Sequence, residues 1–172
     1  MAQLLLSTCT EPITVLLLGV QKVAHRILGV DDDPYILDLL RVLLESEGYL
    51  VETFDSAPQA LKAAIKSPPD AAIVDLMMPE MNGLDLLRAL RYDTRTHNLP
   101  VLICSAYYEN LASANSELDK PDVYRLRKPF HVGELVDLVT EMVSKRGLKR
   151  RKKMPSGSSG PGRISAFAAS QP

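Results

Sequence analysis

Four polar or charged residues stand where short strand-like stretches of the sequence end. Asp31 follows RILGV, Asp75 closes AAIVD, Ser105 closes VLICS and Lys128 follows VYRLR. A carboxylate that leaves a buried strand needs water or a charged partner, and the residues next to Asp75 supply neither. Its partners must therefore come from other parts of the chain, and the other strand ends are the candidates.

These residue types fit phosphoryl transfer. Asp32 adds a carboxylate beside Asp31, and clustered carboxylates repel one another unless a cation lies among them. Oxygen ligands from Asp31, Asp32 and Asp75 suit Mg²⁺, which binds through one or two carboxylates together with water and phosphate oxygens. A carboxylate such as Asp75 can attack phosphorus, while a metal ion, the Ser105 hydroxyl and the Lys128 ammonium group neutralise the moving charge.

The strand ends belong to a regular alternation of elements. Short apolar runs alternate with segments whose apolar residues repeat every three or four positions, which predicts five strands and five helices. Pro34, Ser56 and Asn82 fit helix starts, whereas Gly48 and Pro68 fit helix ends. The alternation predicts a doubly wound α/β domain, a parallel sheet with helices on both faces. In such sheets, sites lie beyond the carboxyl ends of the strands.

The last third of the predicted fold is less regular. ENLASANSELD predicts a weak, polar helix, and the arginines of VYRLR place that strand near a sheet edge. HVGELVDLVTEMVSKRG predicts a final amphipathic helix that ends near Gly147.

Charge divides the chain into an acidic part and a basic end. The net charge is −1, and residues 145–172 hold eight Lys and Arg residues and no acid, which leaves −9 on residues 1–144. We predict an extension outside the fold at 1–24, one domain at 25–146 and a disordered basic tail rich in Gly, Ser and Pro at 147–172. Such a basic cluster is more often a solvated or loosely nucleic-acid-attracted segment than a specific site.

The composition argues against several classes of protein. Cys9 and Cys104 are too few for a disulfide scaffold and match no zinc pattern, so a reducing cytoplasm is the expected location. Cys104 lies in an apolar run and is expected to pack as a small hydrophobic residue. Two apolar patches near the N-terminus are shorter than the ~20 residues of a membrane span. No Lys or Arg precedes the first patch, which makes a secretory signal a poor match.

Four motifs, in order, resemble the receiver domain of bacterial response regulators. They are the acidic strand end ILGVDDDP, the strand and loop IVDLMMPEMNGLDLL with its Pro79 and Gly83, the segment VLICSA, and the lysine turn KPF. The resemblance covers about residues 25–145. It implies a flavodoxin-like sheet with strand order 2-1-3-4-5.

The resemblance also implies a role for each residue at the phosphoacceptor. Asp75 would accept a phosphoryl group from a histidine kinase or a phosphotransfer protein. Ser105 and Lys128 would contact the phosphoryl oxygens and couple their arrival to the surrounding loops. The chain would then signal by changing how it binds an output protein of unknown identity, as a switch without its own output domain.

The same resemblance implies a magnesium site. Asp32 and Asp75 would bind Mg²⁺ directly, Met77 through its backbone carbonyl and Asp31 through water. The chain would be a phosphoacceptor with at most slow self-dephosphorylation rather than an enzyme. A phosphatase is disfavoured because Met77 stands two residues after Asp75, where a second acid would be needed.

One position departs from the family pattern. Members usually carry an aromatic switch residue three positions before the lysine, and here that residue is Arg125, with Tyr124 one position earlier. Either Tyr124 takes the role through a shifted strand, or the switch works differently. Two other functions stay open: an interaction module that is never phosphorylated, and a regulator whose basic tail binds nucleic acid or a membrane.

Overall fold

Five parallel strands form one sheet in the part of the chain that the computed structural model describes, residues 24–106 and 118–153. Side chains are described as far as residue 148. The strand order is β2-β1-β3-β4-β5, which confirms the predicted doubly wound, flavodoxin-like sheet. The strands are β1 (Arg26–Val30), β2 (Leu50–Phe54), β3 (Ala71–Asp75), β4 (Val101–Ser105) and β5 (Val123–Arg127).

The helices between the strands begin at residues that the sequence marks as caps. The Asp33 side chain accepts a hydrogen bond from the Tyr35 N–H, and the Asn82 side chain accepts one from the Asp85 N–H. Ser56 holds the corresponding position before the second helix without such a bond. The helices are α1 (Pro34–Ser46), α2 (Ala57–Lys66), α3 (Gly83–Tyr92) and α4 (Val132–Lys153).

Two apolar clusters lie on opposite faces of the sheet, because successive side chains of a strand point to opposite sides. On one face, Leu28, Val74 and Ile103 pack with the buried residues of α2 and α3. On the other face, Ile73 and Leu102 pack with the buried residues of α1 and α4. Because helices cover both faces of the sheet, the ends of the strands remain accessible at the surface of the domain.

The C-terminal helix ends later than the sequence predicts, and three other predicted segments lie largely outside the described residues. Helix α4 continues through Gly147 to Lys153, so the prediction of a disordered tail from residue 147 is wrong for its first seven positions, 147–153. A single glycine costs a helix only about 1 kcal/mol, which flanking helix formers offset. Residues 1–23 of the predicted extension at 1–24, residues 109–117 of the predicted ENLASANSELD helix at 109–119, and the tail from 154 lie outside the described residues. Within the described residues, the helices are too short or too polar to cross a membrane.

Candidate functional site

The carboxyl edge of the sheet brings together residues that are far apart in sequence. Asp75 ends β3 and pairs in register with Cys104, and Ser105 pairs with Arg127. The Lys128 N–H then donates to the Ser105 carbonyl at 2.9 Å, which holds the first residue after β5 against the end of β4. Asp31 directly follows β1, which is the neighbour of β3. Because the strands are parallel, the carboxyl ends of β1, β3, β4 and β5 lie next to one another.

Lys128 bridges the two buried carboxylates. Its Nζ lies 2.6 Å from Asp31 Oδ2 and 2.6 Å from Asp75 Oδ1. The second oxygen of each carboxylate accepts a backbone N–H, from Asp33 at 3.1 Å and from Met77 at 2.6 Å. Asp31 is 2% exposed and Asp75 is 6% exposed. Each carboxylate is thus held by one ammonium and one amide donor, with its orientation fixed.

Burial and pairing act in opposite directions on these groups. Burial raises the pKa of Asp31, and the hydrogen bonds from Lys128 and the Asp33 amide offset that rise only in part. Burial alone would lower the pKa of Lys128, but its hydrogen bonds to Asp31 and Asp75 outweigh burial and raise the pKa. Lys128 therefore stays a cation at neutral pH, positioned between the two carboxyl groups.

Asp33 has a part that the sequence-based reasoning did not assign. Its backbone N–H donates to Asp31, and its side chain caps α1. The signal was present in the sequence, since an Asp directly before a Pro is a typical pairing of an N-cap with the first helical residue.

Asp32 and Met77 stand at the open side of the site. Both are exposed, Met77 by 62%, and both line a cavity of about 420 Å³. Among the described residues, His, Cys, Asp and Glu do not form a group of three or more with metal-binding spacing. The ammonium group of Lys128, rather than a third carboxylate, lies between Asp31 and Asp75.

The donor chemistry nevertheless fits a magnesium ion. Asp31, Asp75 and Lys128 together carry a net charge of −1 when all are ionised, and the exposed Asp32 adds another negative charge beside them. Mg²⁺ needs only one or two carboxylates because it keeps several waters and also binds phosphate oxygens. Asp32 and Asp75, with the Met77 carbonyl and Asp31 at the margin, are the residues that would hold it.

The loop after β3 depends on Gly83. The Gly83 N–H donates to the Leu76 carbonyl at 3.0 Å and draws the start of α3 against the end of β3. A Cβ at Gly83 would lie 2.2 Å from the Asp75 carbonyl oxygen, which is far inside van der Waals contact. Within this loop, Glu80 adopts a left-handed backbone conformation, with a φ of 63°. Only a glycine at position 83 allows this approach, which fixes where Asp75 emerges.

The residues proposed for the switch lie on different faces of β5. Tyr124 packs against the α1 and α4 face, with Lys145 Nζ 5.5 Å from the centre of its ring. The Arg125 guanidinium turns the other way and donates to the Leu118 carbonyl at 2.8 Å and to Asp119 at 2.6 Å. Regular pairing places Tyr124 opposite Leu102, so the shifted strand that would let Tyr124 replace the usual aromatic is not observed. The structure does not bring Tyr124 to the Asp75 site.

Ser105 and Cys104 are buried at the end of β4. Ser105 is 1% exposed at the end of β4, beside β3. Cys104 is buried as expected, and burial raises the pKa of its thiol to about 12. A thiol with that pKa stays protonated and takes no part in chemistry at neutral pH.

Comparison with known proteins identifies the family. Residues 27–140 match the model of the response regulator receiver domain, and the chain belongs to that family. The chemotaxis protein CheY4 of Vibrio cholerae superposes with a TM-score of 0.63 at 27% identity, covering 69% of this chain and 98% of that one. A response regulator receiver domain protein of Clostridium thermocellum superposes with a TM-score of 0.64 at 26% identity, covering 73% and 98%.

Curated relatives extend well beyond the matched region. The DNA-binding response regulator MtrA of Mycolicibacterium smegmatis is 36% identical over 112 residues, which is 65% of this chain and 47% of that protein. The DNA-binding dual master transcriptional regulator RpaA of Synechocystis is 34% identical over 130 residues, covering 76% and 52%. The chain therefore spans about half the length of the curated relatives it matches.

Proposed function

We propose that Asp75 accepts a phosphoryl group from a phosphohistidine of a histidine kinase or a phosphotransfer protein. The observation that carries this proposal is the position of Lys128, whose Nζ lies 2.6 Å from both Asp31 and Asp75 at the carboxyl edge of the sheet. An ammonium group in that position is ready to neutralise charge on a transferred phosphoryl group. Membership of the receiver family supports the same role.

The transfer conserves atoms and charge in a single displacement. A carboxylate oxygen of Asp75 forms a bond to phosphorus while the phosphorus–nitrogen bond to the donor imidazole breaks, and the departing imidazole nitrogen keeps the electron pair and takes up a proton. The Met77 amide holds the second oxygen of Asp75 at 2.6 Å, so that one oxygen is oriented and the other can attack. Lys128 then moves from the carboxylate to the phosphoryl oxygens, and the hydroxyl of Ser105 adds a hydrogen bond.

Mg²⁺ is the expected cofactor, and it would supply positive charge to the phosphoryl oxygens in the transition state. Asp32, Asp75 and the Met77 carbonyl would hold it, with Asp31 acting through water. Asp31 is the most buried of these acids at 2% exposed, and its Oδ2 is already bonded to Lys128. Its contribution is therefore expected to be the placement of Lys128 and of a water molecule rather than a direct ligand bond.

Helix α1 offers a surface where the phosphoryl donor would dock. Tyr35, Leu39 and Val42 recur at helical spacing and are 83%, 40% and 67% exposed. Leu39 also borders an apolar cavity of about 380 Å³ next to Lys128. An apolar patch beside the phosphoacceptor suits a helical partner that must bring its histidine to Asp75. The cavity is lined by Ile36, Leu39, Ala106, Lys128, Pro129 and Phe130.

The output of the switch is proposed to be altered binding to another protein. MtrA and RpaA are described as DNA-binding regulators, and the matched region is about half of each. The receiver part of this chain, residues 27–140, would act as the phosphorylation-controlled half of such a function or as a separate switch. Hydrolysis of the phosphoryl group by the chain itself is expected to be slow.

The proposal is tested by phosphorylation with acetyl phosphate and Mg²⁺, followed by intact mass. The full chain should gain one phosphoryl group, and a chelator should prevent the gain. Asp75→Asn should not gain it, whereas Asp55→Asn should behave like the parent, since Asp55 is an exposed acid after β2 at the same sheet edge. Equal labelling of Asp75→Asn and the parent would refute Asp75 as the acceptor. No labelling of a folded parent would favour an unphosphorylated interaction module.

A further inference from the structure

Helix α4 is longer than the surface on which it packs. Its buried residues Leu135, Val139 and Met142 follow one another at spacings of four and three and lie against the sheet. The same spacing continues to Arg146, then to position 149 or 150, and then to position 153. The face that is apolar over the sheet is thus continued by basic residues, Arg146, Lys149, Arg150 and Lys153.

The change from apolar to basic coincides with the edge of the sheet. The Arg146 Nη1 donates to the Asp70 carbonyl at 3.3 Å, and its Nε lies 3.9 Å from Asp70 Oδ1. Asp70 directly precedes β3, so this contact marks the amino edge, opposite to the edge that holds Asp75. The seven residues that follow Arg146, 147–153, add about 10 Å of helix at 1.5 Å per residue. The helix therefore projects past the domain at the pole remote from the phosphoacceptor.

The projecting segment, here called the basic extension, comprises residues 145–153. Seven of its nine residues are Lys or Arg and none is acidic. At 100° per residue, six of the seven positions fall within an arc of about 160°. Gly147, Leu148 and Arg151 occupy the remaining side. Two of the basic residues already have partners on the domain, because Lys145 pairs with Glu141 and Arg146 pairs with Asp70.

We propose that the basic extension docks on the phosphate backbone of duplex DNA. Basic positions concentrated on one side of a helix suit a duplex, which carries one negative charge per about 1.7 Å of its axis. The major groove of B-form DNA, about 12 Å wide, admits an α-helix, whereas the deep, narrow major groove of A-form RNA does not.

An anionic membrane fits the same segment less well. A helix that lies in a membrane surface needs a broad apolar face opposite its charged face. Here the opposite side offers only Leu148, 60% exposed, beside Gly147 and Arg151. The observations therefore favour nucleic acid.

The charge of the remaining chain defines how this contact behaves. Residues 1–144 carry a net charge of −9, so the domain is repelled by DNA and the contact is confined to the basic extension. If about five phosphates are contacted, the logarithm of the binding constant falls with the logarithm of salt concentration with a slope of about −4.5. Affinity would then drop about 500-fold between 50 and 200 mM salt. Because contacts to phosphates carry no sequence information, binding is expected to be independent of sequence.

The test is fluorescence anisotropy of a labelled 20-base-pair duplex of random sequence, titrated with the full chain from 20 to 200 mM NaCl. Lys149→Gln/Lys153→Gln should lower the magnitude of the salt slope by about 2, since each lost phosphate contact removes about one unit. Lys62→Gln/Lys66→Gln removes the same charge from exposed positions of α2 and should leave the slope unchanged. Melting temperatures of both variants should equal that of the parent.

Three outcomes would overturn the proposal. Equal losses in the two double variants would assign binding to net charge rather than to the basic extension. Binding of anionic lipid vesicles or of an RNA duplex, but not of DNA, would assign the surface to another partner. Undetectable DNA binding at 20 mM NaCl would exclude it. Asp75→Asn should bind DNA like the parent, so that failure of the phosphorylation proposal and failure of this one are distinguished.

Discussion

The substitution Gly83→Ala tests how the β3–α3 loop positions the phosphoacceptor. In the interior of an unhindered helix, replacing Gly by Ala stabilises by about 1 kcal/mol. At Gly83 the new Cβ would lie 2.2 Å from the Asp75 carbonyl oxygen and 3.0 Å from Leu76 Cα, whereas ordinary contact begins at 3.4 Å. Both obstacles are backbone atoms, so the strand end and the helix must separate by roughly 1 Å, which costs more than a side-chain adjustment.

The expected magnitude follows from these distances. Overpacking of a well-packed site typically costs about 1–3 kcal/mol, occasionally more, and we expect a net loss of about 2–3 kcal/mol. For a domain of this size, that loss corresponds to a fall in melting temperature of roughly 8–12 °C. Displacing Asp75 by about 1 Å from Lys128 should also slow phosphorylation by roughly 10- to 100-fold.

The matched control is Gly133→Ala. Gly133 lies in the first turn of α4, and its added Cβ would meet no atom within 4 Å, so the substitution should leave the melting temperature unchanged or slightly raised. Thermal unfolding by circular dichroism and the acetyl phosphate labelling rate are measured for both variants. If Gly83→Ala unfolds and labels like Gly133→Ala, the close approach of α3 to the Asp75 backbone does not exist, and the reasoning fails.

Three further predictions concern the buried groups of the site. Lys128→Met leaves the carboxyl groups of Asp31 and Asp75 without their cationic partner. Denaturant unfolding at pH 8 should show a free energy of unfolding lower by about 2 kcal/mol. This is less than the roughly 3–5 kcal/mol of a fully buried pair, because the Lys128 side chain is 21% exposed. The pKa of Asp31 is already raised by burial and should rise further without Lys128, so the folded variant takes up a proton more readily as the pH falls. The loss of unfolding free energy should therefore be smaller at pH 5 than at pH 8. An equal loss at both pH values would contradict this pairing. In parent protein the pKa of Lys128 is raised, so its stabilising contribution should persist below its ordinary pKa of 10.5 and disappear only as pH rises through the raised value. The Cys104 thiol, with its pKa raised to about 12, should not react with a disulfide reagent at pH 8 in native Cys9→Ser protein but should react fully after denaturation; rapid native labelling would show that β4 is open.

The sequence alone was sufficient for the fold class and the family. Short apolar runs alternating with segments of helical period predicted the parallel sheet, and the strand order that the resemblance implied is the one observed. The edge position of β5 was also predictable, because Arg125 and Arg127 could not be placed in the middle of a covered sheet. The fold class and the edge position of β5 depend on local patterns of polarity, which can be recognised in a single sequence.

The end of α4 was predicted wrongly from the same kind of pattern. Gly147 and the loss of apolar periodicity after Val143 are ordinary signs of a helix end. The helix nevertheless continues to Lys153, since a helix anchored by a long buried face can extend through one glycine and a run of good helix formers. Both helix propensity and the packing of the preceding turns determine where such a helix ends, and a sequence shows only the propensity.

What the tertiary structure alone decided is how the site residues meet. The sequence placed Asp31, Asp75 and Lys128 at strand ends, but the hydrogen bonds that join Lys128 to both acids span 97 and 53 residues of chain. The face of the sheet that each of Tyr124 and Arg125 takes, and the contact that demands Gly83, likewise follow from strand register and from the approach of α3 to β3. Polarity patterns determine which surfaces must be buried, whereas distances between groups far apart in sequence are fixed only when all the elements pack together.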